Sequence, residues 1–336
     1  MSSLRNVSME TIVSWAKRRG FVWKGAELYG GVATGYDYGP LGAQLKHNLT
    51  RAWWRDFVEC RGDCFPLETS LVLNPRVWEA SGHVSQFVDP LSECGRCKKR
   101  VRADKAVGTA LAASDTLPQW LQELREASLS LENLGAALKE LNVACPECGA
   151  QGTLGQPRSF NLLFQTHVGS IDGDGSVAYL RPETAQGAYV HFLNILNATR
   201  RRLPLGVGQV GKSFRNEIAP GNFLFRTREF DQMELQYFVN PENSPSAYHA
   251  WVDSSFDWLV RVAGLSGANL RRREYGEKEL AHYAQATTDI MYKYPFGWEE
   301  LMGIANRGDY DLKAHSNAAG IRLKYTDPDS GKVRFR

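Results

Sequence analysis

The chain of 336 residues has no apolar run approaching the roughly 18 residues a membrane helix needs, which argues against a spanning segment. Its opening, MSSLRNVSMETIVSWAKRRG, lacks the apolar block of a secretory signal. Arg5 and a first acid as late as Glu10 carry only a weak transit-peptide signal. A soluble, cytoplasmic chain with no membrane partner is the expectation. Charge of one sign is scarce too: 40 Lys and Arg stand against 37 Asp and Glu, a balance of +3. That excludes a histone-like or polybasic protein and leaves room for a local basic face. Internal repeats and low-complexity stretches are missing. His83, His167, His191, His282 and His315 share no ligand spacing and read as structural or surface residues. What is present is globular material, 43% hydrophobic and 11% aromatic, enough for a large core. At about 150 residues per domain, the length fits two domains or one large domain with an insertion.

Met9, Ile12, Val13, Trp15 and Ala16 recur at helical spacing, with Gly20 as a stop. From Gly39, GPLGAQLKHNLTRAWWRDFVE sets Leu41, Leu45, Leu49, Trp53 and Phe57 four apart on one stripe, with Pro40 in the first turn. Residues 251–262 and 278–292 also read as helices. From Phe160 the pattern turns to strands: SFNLLFQT, SVAYLRPE, PLGVGQVGKSFRNE and REFDQMELQYFV, with Asp172, Gly173, Asp174 and Gly175 as a turn between the first two. Grouped strands with helices around them predict an α+β fold, an antiparallel β-sheet with flanking helices.

Cysteines are few but ordered. Cys94 and Cys97 form one C-x-x-C pair, Cys145 and Cys148 a second, and Gly95, Pro146 and Gly149 suit tight turns. Four thiolates in two such pairs are the ligand set of a closed tetrahedral zinc site, structural because no position is left open. Cys60 and Cys64 have no such pattern. Between the pairs lies TLPQWLQELREASLSLENLGAALKELNV, strongly helical in spacing. Residues 91–156 therefore read as a zinc-knuckle insertion with a small core, between an N-terminal part at 1–90 and a sheet-bearing part at 157–336. The basic runs at 98–105, 200–202 and 271–273 read first as solvated faces; the first two could contact phosphate.

Gly206 to Ser213, GVGQVGKS, matches the phosphate-loop pattern G-x-x-x-x-G-K-[ST], which would make the chain a P-loop NTPase. That motif needs a buried strand before it and a helix after it. Here three arginines and Pro204 precede it, and Pro220 and Gly221 follow. The segment reads better as a strand over 206–217. Two-residue alternation then puts Ser213, Arg215 and Glu217 on one face, and separates Met233, Leu235, Tyr237 and Val239 from Gln232, Glu234 and Gln236 on the next strand. Arg226 and Arg228, in the loop between, return towards the polar face. So many polar groups on two adjoining strands favour a site over a solvated surface.

FRNE followed by FRTREFDQMELQYF resembles motif 2 of class II aminoacyl-tRNA synthetases, in the form found in homodimeric glycyl-tRNA synthetases. GFVWKGAELYGG, YDYGPLGAQLKHNL, WEASGHVSQFVDP, RADK, LRPETAQG, AHYAQATTDI and GIANRGDYDL resemble further stretches of that family, in family order. The resemblance implies activation of glycine with ATP and Mg2+, then transfer to tRNA(Gly), by a homodimer paired through motif 1 at residues 39–73. It implies that Arg215 contacts the α-phosphate and Glu217 the adenine side, as catalytic residues. Asn216, Phe225, Arg226, Thr227, Arg228, Glu229 and Phe230 line ATP by the same resemblance, with Phe230 stacking on adenine and Glu300 and Leu301 nearby. Glu183 and Glu234 hold the glycine ammonium, and Arg102, Phe230, Asp231, Gln232 and Met233 lie by the amino acid. Family members continue into motif 3 and an anticodon-binding domain, so these 336 residues are expected to be poorly active alone. A non-catalytic, synthetase-like module that binds tRNA or dimerises is the alternative.

Overall fold

A computed structural model describes residues 7–32, 34–114, 117–124, 130–169, 176–218, 221–281, 283–327 and 333–334. The turn expected at 172–175 lies outside the described residues, as do His282 and part of the helical stretch after Cys97. The chain forms two compact units: 1–81 with 165–214 and 221–336, and 82–164 with 215–220. Among the described residues no helix is long and apolar enough to cross a membrane.

The first unit is built on a long hairpin. Leu205–Phe214 pairs antiparallel with Glu229–Phe238 in unbroken register, from Leu205 opposite Phe238 to Phe214 opposite Glu229. Cys64–Pro66 adds a parallel strand beside it. Alternation sorts the two faces as the sequence predicts. Val210, Met233 and Leu235 pack against Trp53, Phe57, Val58, Trp258, Leu259 and Ile290. The opposite face is apolar only at its end, where Val207 and Phe238 join Ala188, Tyr189, Phe192 and Leu312 in a second core. Burying Phe192 completely stabilises this end by roughly 3–5 kcal/mol relative to alanine.

The glycines that imitate a phosphate loop are packing devices. A Cβ on Gly206 would collide with Cys64 Sγ, one on Gly208 with Val58 Cγ2, and one on Gly211 with the Arg181 guanidinium. The segment is a strand, as its context predicts, but it stops at Phe214 rather than running to residue 217. Beyond Phe214 the ladder is abandoned: the Asn216 backbone N–H donates to the Leu162 carbonyl at 2.7 Å.

Residues 278–292 are not a helix. A single 3-10 turn, Glu277–Glu279, precedes the strand Ala286–Tyr294, which lies between Leu270–Glu274 and Gly297–Asn306 in a second antiparallel sheet. Thr287, Thr288, Ile290, Tyr292 and Tyr294 are residues whose branched or aromatic side chains suit a pleated surface, and that preference outweighs the weak helical spacing. The neighbouring reading holds, since the helix Ser244–Arg261 packs its Trp258 and Leu259 into the core.

Two further helices follow the sequence closely. Met9–Arg18 starts at Ser8, whose hydroxyl accepts from Thr11 N at 3.2 Å, and Gly20 takes positive φ just past its end. Pro40–Trp54 begins with proline in its first turn. Its stripe is only half buried: Trp53 and Phe57 are in the core, whereas Leu41, Leu45 and Leu49 are 50%, 59% and 39% exposed.

The second unit has its own core of Val101, Ala103, Val107, Leu111, Leu121, Leu134, Leu138, Val143 and Leu154. Helices Ala103–Ala112, Gln119–Leu124 and Leu131–Glu140 belong to it, the last capped by Ser130, whose hydroxyl accepts from Asn133 N. Val88–Glu93 pairs with Arg100–Arg102 on one side and Arg158–Asn161 on the other.

Candidate active site

On the polar face of the hairpin, Gln209 lies opposite Glu234, Gly211 opposite Gln232, and Ser213 opposite Phe230. Ser213 donates to Gln232 Oε1 at 2.7 Å. The Glu234 carboxylate accepts from the backbone N–H of Thr184 at 3.2 Å and from the Thr184 hydroxyl. Gln209 secures that contact from behind: its Nε2 donates to the Thr184 carbonyl, while its Oε1 accepts from Thr69. Arg181 fills the space that Gly211 leaves. Its Nε donates to the Lys212 carbonyl at 2.7 Å and its Nη1 to the Thr69 carbonyl at 2.8 Å.

Glu183 and Thr184 stand at the start of the helix Ala185–Val190. Gln186 Nε2 donates to Glu183 Oε1 at 2.9 Å. Burial pushes the Glu234 carboxyl above the usual carboxylate range, and the charge on Glu183 pushes it further, while Thr184 and Arg307 oppose the rise. The two acidic side chains thus lie within electrostatic reach of each other, and it is the ionised form of Glu234 that is disfavoured.

Arg307 belongs to this cluster. Its guanidinium is bidentate on Asp311, at 2.7 and 2.9 Å, and lies 3.8 Å from the centre of the Tyr283 ring. Arg307 and Asp311, both within GIANRGDYDL, are residues of the cluster that the family resemblance does not single out. An Arg and an Asp four apart at a helix start was the available signal.

Alternation divides the stretch 230–234. Phe230, Gln232 and Glu234 share the polar face. Asp231 and Met233 take the other, where Met233 joins the core and Asp231 pairs with Lys46 at 2.6 Å and Lys212 at 3.2 Å. Lys212 also pairs with Glu229, so the phosphate-loop lysine is occupied by two acids.

Phe225 ends a 3-10 turn and packs edge-on against Tyr294 and Phe296. The Arg226 backbone bridges to Gly221, and the Thr227 hydroxyl donates to the Glu229 carbonyl at 2.8 Å. Glu300 and Leu301 lie exposed on Gly297–Asn306, where Glu300 pairs with Met291 at a bulge. A Cβ built on Gly303 would sit 3.1 Å from Glu300 Oε1 and 3.3 Å from Asp289 Oδ1, so these two carboxylates flank one open point of the strand.

Four residues expected at the ATP and glycine sites, Arg102, Arg215, Asn216 and Glu217, fall in the other unit. Because the strand ends at Phe214, Arg215 and Glu217 do not share a strand face with Ser213. The Arg215 guanidinium lies 5.4 Å from the Phe87 ring, and Glu217 is buried within electrostatic reach of Arg102. Arg102 itself is clasped by Asp89 at 2.8 Å and Asp104 at 2.5 Å.

The four paired cysteines meet in the same unit. Their sulfurs all lie within 4.8 Å of one another, with Cys94 to Cys148 and Cys97 to Cys145 both at 3.8 Å. That is far beyond a disulfide bond of about 2.05 Å. Each pair closes an equivalent turn: Lys98 N donates to Cys94 O, and Gly149 N to Cys145 O. The residue after each second cysteine has positive φ, Lys98 at 61° and Gly149 at 69°. The strained position of the first knuckle is therefore Lys98 rather than Gly95. The Cys97 backbone N–H, then the Thr153 hydroxyl, draw the Cys94 thiol down to about 6.

Residues 168–318 match the model of the tRNA synthetase class II core domain (G, H, P, S and T). The chain is 46% identical over 326 residues to the glycine--tRNA ligase of Geobacillus kaustophilus, covering 97% of this chain and 69% of that protein. It is equally 46% identical, with the same coverage, to the glycine--tRNA ligase of Caldanaerobacter subterraneus subsp. tengcongensis. That of Alkaliphilus oremlandii is 45% identical over 96% of this chain and 68% of its own length. The chain belongs to the glycine--tRNA ligase family. The class II core match contains Glu183, Thr184, Gln186, Glu234, Arg307 and Asp311, so the converging acids and their supports lie inside the region that defines the fold of the family.

Proposed function

We propose that this chain activates glycine with ATP to form glycyl-adenylate and transfers the glycyl group to the 3′ end of tRNA(Gly), in the cytoplasm. The observation that supports this reading is the Glu234 carboxylate, held by Thr184 and within electrostatic reach of Glu183. An ammonium group placed between these two half-buried carboxylates would relieve the repulsion that disfavours ionisation of Glu234. Glycine has no side chain to grip, so selectivity rests on a pocket too small for a methyl group.

Attack of the glycine carboxylate on the α-phosphorus needs no protein nucleophile. It needs in-line placement and positive charge where the phosphate oxygens gain negative charge. Arg215, with the forked geometry that fits phosphate, is proposed for the α-phosphate, and Glu217 for the adenine side. Asn216, Phe225, Arg226, Thr227, Arg228 and Glu229 are proposed around ATP, Phe230 on the adenine ring, and Glu300 and Leu301 nearby. Arg102, Asp231, Gln232 and Met233 remain proposals for the amino-acid side. Since Asp231 and Met233 face away from Glu234, their contribution would be through the backbone. Magnesium, held by ATP with Glu300, would supply charge to the departing pyrophosphate.

Zinc is proposed for the cysteine cluster. A tetrahedral ion with sulfur ligands at about 2.3 Å has ligand–ligand edges of about 3.8 Å, which the Cys94–Cys148 and Cys97–Cys145 separations match. The exposed Leu41, Leu45 and Leu49 supply an apolar stripe for the proposed homodimer. Leu45→Asp should shift the protein to monomer in sedimentation; an unchanged dimer would place the interface elsewhere.

Glycine-dependent pyrophosphate exchange, followed by charging of tRNA(Gly), tests the main reading on the intact natural chain. Absence of exchange together with tight tRNA binding would instead favour the non-catalytic module.

A further inference from the structure

Behind Glu183 lies a buried set of polar groups that the proposed chemistry does not use directly. Gln186 is completely buried, and Asp311 and His315 are 4% and 5% exposed. Gln186 Nε2 donates to Glu183 Oε1 at 2.9 Å and to Asp311 Oδ1 at 3.2 Å. Its Oε1 lies 2.7 Å from His315 Nε2. Asp311 and His315 stand four apart on the helix Tyr310–Ala319, so one helix face presents both groups to Gln186 on Ala185–Val190.

The chemistry of an amide fixes the direction of these bonds. A primary amide has one acceptor oxygen and one doubly donating nitrogen. Turned the other way, its oxygen would face two carboxylates, and both Asp311 and Glu183 would lose a donor. With the nitrogen towards the acids, the oxygen faces His315, whose Nε2 must carry a proton to make that bond. The opposite tautomer would set two acceptors against each other in a buried site.

We propose that Gln186 and His315 are positioning residues for glycine: the imidazole locks the Gln186 amide, and the amide aims the Glu183 carboxylate at the substrate ammonium. Arg307, bidentate on Asp311, anchors the far side of the arrangement. The inference rests on the reading that Glu183 binds that ammonium, and the test separates the two.

Three variants of the intact natural enzyme are compared by glycine-dependent pyrophosphate exchange, with the KM values for glycine and ATP measured separately. Gln186→Met keeps length and removes the amide. His315→Phe keeps a ring and removes the donor, and His315→Gln restores a donor. Losing a hydrogen bond to a charged group should raise the glycine KM about tenfold in Gln186→Met and several-fold in His315→Phe. The ATP KM should stay within twofold, and His315→Gln should recover part of the loss. A merely structural role would instead lower kcat and raise both KM values together, or reduce the folded fraction, without rescue by His315→Gln. Glu183→Gln is the control for the underlying reading. If it leaves the glycine KM unchanged, the ammonium assignment fails. If it raises that KM while Gln186→Met and His315→Phe do not, the positioning proposal alone is overturned. Should Gln186→Met fail to fold, the His315 pair decides the question.

Discussion

The hairpin face and the cysteine knuckles both gather polar atoms from distant parts of the chain, but by different means. On the hairpin, ten register pairs from Leu205–Phe238 to Phe214–Glu229 hold the backbone, and an apolar core lies against the other face. Glu234 and Gln209 ride on that scaffold, and their hydrogen bonds hold Thr184 against it. In the knuckles, two short turns carry four thiols, and besides the ligand set they are joined by local contacts such as the Gly95 N–H to the Thr153 carbonyl, the Cys94–Leu154 bridge and the Lys99–Glu147 ion pair. One region has its order built in; the other, on the proposed reading, draws much of its order from a bound zinc ion. A polar substitution should therefore remove function from the first and structure from the second.

The largest effect expected is in the knuckles. Cys145→Ser, or a chelator applied to the parent protein, should release about one zinc per chain and loosen residues 91–156. Structural zinc sites bind with apparent free energies of about 10–16 kcal/mol, a large share of what can hold so small a unit folded. Limited proteolysis should cut there first while the hairpin stays protected. Protein never exposed to chelator and found free of metal would overturn the contrast.

Next comes Glu234→Ala, the matching change on the hairpin. Truncating one member of a buried charge pair costs about 2–5 kcal/mol of binding, so glycine use should fall about 30-fold or more. ATP binding and thermal stability should change little. A parallel loss of glycine use and ATP binding would mean that Glu234 serves the scaffold, or ATP itself, rather than the ammonium.

Gly211→Ala sharpens the same point from the scaffold side. The added Cβ meets Arg181, a long side chain that would ordinarily swing away. Here the guanidinium is buried and bonded to Lys212 and Thr69, and burial already lowers its pKa from the usual value. Overpacking at such a point should cost about 1–3 kcal/mol, visible as a lower melting temperature. A neutral result would show that Arg181 has more freedom than its bonds indicate.

What the sequence reveals follows the same division. The hairpin is legible because two-residue alternation over ten positions leaves one solution for its faces, and the proline and glycine around the GVGQVGKS segment rule out a phosphate loop. The cysteine cluster is legible from spacing alone. The departure of Arg215 and Glu217 from the strand is not, because alternation continues past Phe214 while the hydrogen bond of Asn216 goes to Leu162. The strand Ala286–Tyr294 was hidden by apolar spacings that also fit a helix over so short a window. The link between Gln186 and His315 is not legible because two helices meet there only after folding, and no pairwise spacing marks a buried amide that bridges two acids.

The smallest effect expected separates the regions by sign. In the knuckle unit, burial raises the Asp104 carboxyl, but hydrogen bonding and attraction from Arg102 outweigh it and leave the carboxyl below its usual value. A depressed carboxylate stabilises the fold above its unfolded pKa of about 3.9, and this contribution fades as pH falls through the folded value. On the hairpin, Glu234 is shifted upward by burial and by Glu183. Its contribution runs the other way: present below the unfolded pKa of about 4.3 and lost as pH rises through the raised value, where an ionised Glu234 lacks its ammonium partner. Acid should thus loosen the surroundings of Asp104 and firm those of Glu234, and added glycine should offset the loss at higher pH. Hydrogen exchange of residues 100–112 and 181–190, compared between the parent, Asp104→Asn and Glu234→Gln, reads the two slopes separately. The glycine KM should also fall as pH rises through the raised Glu234 value, and that dependence should vanish in Glu234→Gln. Slopes of the same sign in both regions would end the claim that Arg102 holds Asp104 ionised while burial and Glu183 disfavour the ionised form of Glu234.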